Sequence, residues 1–136
     1  MDFIEWNDSL SVGVSVFDKE HKQLIALVNK LNQALAAGSA KKTMEDILRS
    51  LVNYTKIHFK HEEEYMTLYD YPEYAKHKAE HDDLTRQVME FSERYSTGKT
   101  SFSLELMNFL KDWLTKHILG SDKKYKDFFQ SKGVEG

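Results

Sequence analysis

Apolar residues recur every three to four positions in four long stretches of the chain, a spacing that predicts four amphipathic helices. The first runs from about Asp18 to Ala37, with Gly38 as its stop. Its seam is Phe17, His21, Leu24, Val28, Leu31 and Leu35. The second follows Ser39 as N-cap and reaches about Tyr69. Its seam is Met44, Leu48, Leu51, Thr55, His58, Glu62 and Tyr65. Tyr71 precedes proline and is pushed away from helical angles, while Pro72 suits the first turn of a new helix. That third helix extends to about Tyr95, before Gly98, with the seam Tyr74, His77, His81, Leu84, Val88, Phe91 and Tyr95. The fourth starts after Ser101 and carries Leu106, Leu110, Trp113 and His117, with Phe109 and Leu114 alongside. Met44, Met66, Met89 and Met107 read as core filler.

Short connections make successive helices antiparallel neighbours. The expected fold class is therefore all-α: an up-down-up-down antiparallel four-helix bundle. Residues 1–16 form a non-helical arm in which Val12, Val14 and Val16 alternate and Trp6 is an anchor. A short C-terminal helical extension, with Tyr125, Phe128 and Phe129, packs back on the bundle.

The length of 136 residues suits a single domain, 1–136, with one core. A net charge of −3 with scattered basic residues gives no reason to expect nucleic acid or an anionic membrane as partner. The chain has no cysteine, which excludes disulfides, thiolate metal sites and cysteine catalysis. Its N-terminus lacks the basic and apolar regions of a signal peptide, and no apolar run approaches membrane-spanning length. A cytoplasmic protein, most simply a monomer, is expected.

Five of the six histidines fall on the helical seams, where apolar residues belong. Imidazoles and carboxylates are costly to bury unless something binds them. His58 and Glu62 are four apart, as are His77 and His81, so each pair shares one face of its helix. Antiparallel alternation brings His21, His58 with Glu62, His77 with His81, and His117 to the same end of the bundle. Asp122 is the awkward member. Five residues separate it from His117, which on an ideal helix turns it about 140° away. A π-type turn would bring both to one site, and Gly120 in the gap would ease it. The ligand count predicts an asymmetric pair of metals. Glu62 and Asp122 can each bridge, and with a solvent-derived oxygen bridge a metal with three histidines is closed. A metal with two histidines keeps one open position. Spacing alone does not name the metal.

One His, then HxxxE, HxxxH and HxxxxD, resembles the hemerythrin family, specifically a single-domain bacteriohemerythrin. The likeness covers nearly the whole chain. It includes Trp6, Asp18-Lys19-Glu20-His21-Lys22, His58-Phe59-Lys60-His61-Glu62-Glu63 and Tyr71-Pro72. It also includes His77-Lys78-Ala79-Glu80-His81 and Trp113-Leu114-Thr115-Lys116-His117-Ile118 with Asp122. The resemblance implies two Fe ions (Fe2+/Fe3+) bridged by oxo or hydroxo. In that frame His77, His81 and His117 hold the closed iron, His21 and His58 hold the open one, and Glu62 and Asp122 bridge. O2 would bind reversibly at the open iron as a hydroperoxide, for carriage or storage and not as an enzyme's substrate. Phe59, Trp113, Leu114 and Ile118 are expected to line a dry O2 pocket. An oxidase or reductase could serve as partner.

Blander readings apply to the remaining polar residues. His61 sits about 60° from His58 around its helix, which favours a solvated rim position over ligation. Glu63 and Glu64 read as a solvated face, and Glu80 as solvated unless it bonds a ligand histidine. Two other functions compete with reversible binding. One is a di-iron oxidase or peroxidase, although no glutamate stands three residues before a histidine as ferritin-like sites require. The other is an oxygen or redox sensor acting through a partner protein.

Overall fold

The computed structural model of the protein describes residues 4–99 and 104–134, with side chains in the fourth helix described from Met107 onward. The main helices are α1 (Ser15–Ala36), α2 (Lys41–Leu68), α3 (Tyr74–Ser96) and α4 (Leu104–Lys116). A π-helical segment over His117–Asp122 joins α4 to a last helix, α5 (Lys123–Ser131). No strand occurs among the described residues. The helices form the expected antiparallel four-helix bundle: α2 packs on α1 and α3, and α4 closes against α1.

The seams meet in an apolar interior that includes Leu24, Val28, Leu31, Leu48, Leu51, Leu84, Val88, Met107 and Leu110, all buried. Each such side chain contributes roughly 1.5–3 kcal/mol on leaving water. Met44 and Met66 are buried with them. Met89 and Phe109 are not core residues, being 44% exposed each. Both lie beside the seam rather than on it.

Helix ends depart from expectation for local reasons. The first helix begins at Ser15, not near Asp18, because the Asp18 carboxylate reaches back to the arm. It accepts from the Val12 amide at 2.9 Å and from the Ser11 hydroxyl at 2.6 Å. The arm is also not wholly extended, since Asp8–Leu10 make a 3₁₀ turn. Asn29 ties the arm to α1 through two hydrogen bonds with the backbone of Ile4. Gly38 stops α1 as expected, with φ +66°, a conformation that disfavours a side chain. Ser39 belongs to that same stop, its amide bonding Ala34 O, so Ala40 takes the N-cap position of α2. Pro72 lies in the turn before α3, which starts at Tyr74. The proposed start of the fourth helix after Ser101 lies outside the described residues, as does the side chain of the seam residue Leu106. No helix among the described residues is long and apolar enough to cross a membrane.

Candidate metal centre

Helix register delivers seven polar side chains to one buried place. His21 comes from α1, His58 and Glu62 from α2, His77 and His81 from α3, and His117 and Asp122 from the π-helical segment. All seven are buried, with Glu62 and Asp122 fully so. The π register accounts for the last pair. The Lys123 amide bonds Ile118 O, five residues back, so residues five apart stand over one another. His117 Nε2 is thereby 3.0 Å from Asp122 Oδ1. Glycine is not what permits this: Gly120 has no positive φ, and a Cβ there would meet nothing within 4 Å.

The two carboxylates divide their oxygens. On one side, Asp122 Oδ2 lies 3.0 Å from His21 Nε2, and Glu62 Oε2 lies 3.5 Å from His21 Nε2 and 3.4 Å from His58 Nε2. On the other, Asp122 Oδ1 lies 2.8 Å from His77 Nε2, and Glu62 Oε1 lies 3.2 Å from His81 Nε2. Two candidate metal-holding groups result, one of His21, His58, Glu62 and Asp122, the other of His77, His81, His117, Glu62 and Asp122. The ligand atoms of each group lie within 4.8 Å of one another.

Apart from His81 Nε2, which lies 3.2 Å from His117 Nε2, these atoms are close without bonding one another. His21 Nε2, His58 Nε2, His77 Nε2, Glu62 Oε1 and both Asp122 oxygens have no aligned hydrogen-bond partner, although several sit at hydrogen-bond distance. They gather in two overlapping groups. So many orphaned buried polar atoms are costly in an apolar interior, and a metal ion held among them would satisfy them. Nitrogen and carboxylate donors without thiolate suit iron, among other transition metals.

The charges are tuned to match. Burial alone would raise the Glu62 carboxyl, but the His58 charge and the close ring nitrogens of His21, His58 and His81 hold it well below the usual range. Burial and the Glu62 charge push Asp122 up, and His117 and His21 pull it well below. Burial alone would lower His21 and His81, yet the carboxylates overcome it, taking His21 up to about 10 and His81 up to about 9. Without metal the centre therefore collects protons, which a metal ion must displace.

The surroundings are aromatic and apolar. Phe59 stacks on His81 with centroids 3.8 Å apart, and Trp113 stacks on His117 at 5.3 Å. These two rings thus cover the three-histidine group, although Phe59 also approaches His58. Leu114 and Ile118 are buried. Leu114 and Trp113 line an apolar cavity of about 20 Å³ with Leu24, Val28, Leu51 and Thr55 among others.

Several contacting residues, Glu80 excepted, did not stand out in the sequence as such. Tyr125, fully buried, donates its hydroxyl to Glu62 Oε2. Its burial and the nearby carboxylates hold the phenol well above its usual range. Glu20 accepts from both His58 and His61, so His61 is not simply a solvated rim residue. Glu63 is likewise not a free solvated glutamate, its Oε2 lying 2.9 Å from His81 Nδ1. Glu80 stands 3.4 Å from His117 Nδ1 and accepts from Ser121. Each acid neighbours a ligand position in the chain, the one signal that could have singled it out.

Comparison with known proteins agrees with this geometry. Residues 12–129 match the family model for the hemerythrin HHE cation binding domain. The chain is 34% identical to the bacteriohemerythrin of Stenotrophomonas maltophilia over 93% of its own length and 82% of that protein. It is 30% identical to the bacteriohemerythrin of Clostridium acetobutylicum, covering 90% of this chain and 98% of that one. Among solved structures, a wild-type hemerythrin superposes with a TM-score of 0.88 at 31% identity, over 92% of this chain and 96% of the other.

Proposed function

The chain belongs to the hemerythrin family, and we propose that it binds O2 reversibly, for carriage or storage, at a pair of irons. The observation that carries this reading is the divided carboxylates. Glu62 and Asp122 each turn one oxygen to a pair of histidines and the other to a trio. That arrangement suits two ions side by side rather than one.

His77, His81 and His117 would hold one iron, His21 and His58 the other, with Glu62 and Asp122 between them. Irons held there would supply the electrons that reversible O2 binding needs. The two-histidine side, which offers one nitrogen fewer, would be the side that takes the small ligand. Tyr125 orients Glu62 from behind. Phe59, Trp113, Leu114 and Ile118 would form the apolar wall of the centre, with Phe59 and Trp113 on the three-histidine side, and a dry wall strengthens each polar contact inside it. Residues 1–136 act as one domain, with the arm pinned at Asn29 and α5 packed through Tyr125 and Phe129.

Oxygen titration of the anaerobic ferrous protein tests the reading. A visible charge-transfer band should grow to completion at one O2 per two irons and bleach on purging with argon. A band that forms once and does not bleach, with oxygen consumed, contradicts reversible binding.

A further inference from the structure

Three of the clustered histidines present Nδ1 outward, and each meets a glutamate. The pairs are His58 with Glu20 at 2.8 Å, His81 with Glu63 at 2.9 Å and His117 with Glu80 at 3.4 Å. The three acids differ in exposure. Side chains of Glu63 and Glu80 are 20% and 38% open to water, whereas that of Glu20 is 9% open. Water can complete the hydrogen bonding of the first two. A buried carboxylate must find protein partners for both oxygens. Glu20 finds the second in His61, whose Nδ1 lies 2.5 Å from Oε2.

His61 itself is 44% exposed in its side chain and stands outside both candidate ligand groups. One acid from α1 thus bridges two histidines a single turn apart on α2. A second asymmetry makes this contact matter. His21, the other histidine of the pair, has no hydrogen-bond partner on Nδ1. The two-histidine group therefore depends on one tether, whereas the three-histidine group has Glu63 and Glu80.

We propose that Glu20 is a positioning residue for His58 and that His61 clamps Glu20 in place. An Nδ1–H donated to Glu20 leaves the Nε2 lone pair for a metal and fixes the ring's direction. Without His61, Glu20 keeps an unpaired buried oxygen and is free to turn that end toward water, slackening its hold on His58. The inference rests on the two-iron reading, and it predicts selective loss from the two-histidine side.

The test is release of Fe2+ from the anaerobically loaded full chain to a coloured chelator. Wild type should carry two Fe2+ per chain. Glu20→Ala should release one of the two roughly 10–100-fold faster, as loss of such outer partners typically does, and the other at the wild-type rate. Glu20→Gln, whose amide oxygen can still accept from His58, should recover most of the retention. His61→Ala should quicken release of the same single ion to a lesser degree, with unchanged urea unfolding of the metal-free protein. Being partly exposed, His61 keeps the test open if Glu20→Ala does not fold. Release of both ions at wild-type rates from Glu20→Ala and His61→Ala overturns the assignment. So does equal acceleration of both ions in step with lost fold stability. Wild type that takes up fewer than two Fe2+ defeats the two-iron reading and this inference with it.

Discussion

The two ends of the bundle are held together by opposite means. Around Leu31, Met44, Leu48 and Met107 the interior is apolar, and burial itself stabilises it. Around Glu62 and Asp122 the interior holds five imidazoles and two carboxylates with almost no water access, and burial opposes it. The first end is complete as a folded chain. The second carries orphaned polar atoms that bound metal would satisfy. One four-helix scaffold can therefore keep a costly centre in place because its far end supplies stability that does not depend on it.

Removing a shared carboxylate should break the contrast most severely. Asp122→Ala takes an oxygen from both groups at once, so iron content should fall below two per chain and the oxygen-dependent band should vanish. Elemental analysis and visible spectra check this. Leu48→Ala probes the other end. Leu48 is 1% exposed, and the cavity should cost about 2–5 kcal/mol in urea unfolding, equally with and without iron. A larger loss in the loaded protein would mean that the ends are not independent.

Proton linkage sharpens the comparison. In the metal-free chain His21 and His81 are raised to about 10 and about 9. Raised histidines contribute stability that is full below their ordinary value of 6.5 and is lost as pH climbs through the folded values. Glu62 and Asp122 are lowered, so their contribution is present above about pH 4 and lost on acidification. Thermal melts of the metal-free protein should therefore peak between about pH 4.5 and 6.5 and decline toward pH 10. Metal-loaded protein should not show the alkaline decline, because its imidazoles are already neutral. Smaller again is the effect of Leu114→Ala. Opening the wall beside the cavity should speed oxidation of the oxygen-bound form several-fold, roughly the effect of admitting water to a polar contact worth about 1 kcal/mol. An unchanged rate, followed by decay of the visible band, would remove Leu114 from the wall.

Much of the centre was legible from spacing. His58 with Glu62 and His77 with His81 announce themselves because residues four apart share a face, and antiparallel alternation levels the four helices. Even the π register followed from the five-residue gap between His117 and Asp122. The outer contacts were not legible. Glu20, Glu63 and Tyr125 touch ligand positions across helix–helix interfaces, where rotation and rise of one helix against another decide which atoms meet. His61 reads as a rim residue on its own helix and acquires its partner only from α1. Helix starts were misjudged where side chains reached backwards, as Asp18 does toward Val12.

The central claim is that this end of the bundle holds two bridged metals. Anomalous diffraction at the iron edge from crystals of the iron-loaded protein tests it directly. Two peaks should lie between Glu62 and Asp122, one beside His77, His81 and His117, the other beside His21 and His58. A single peak, or iron bound away from these carboxylates, would contradict it.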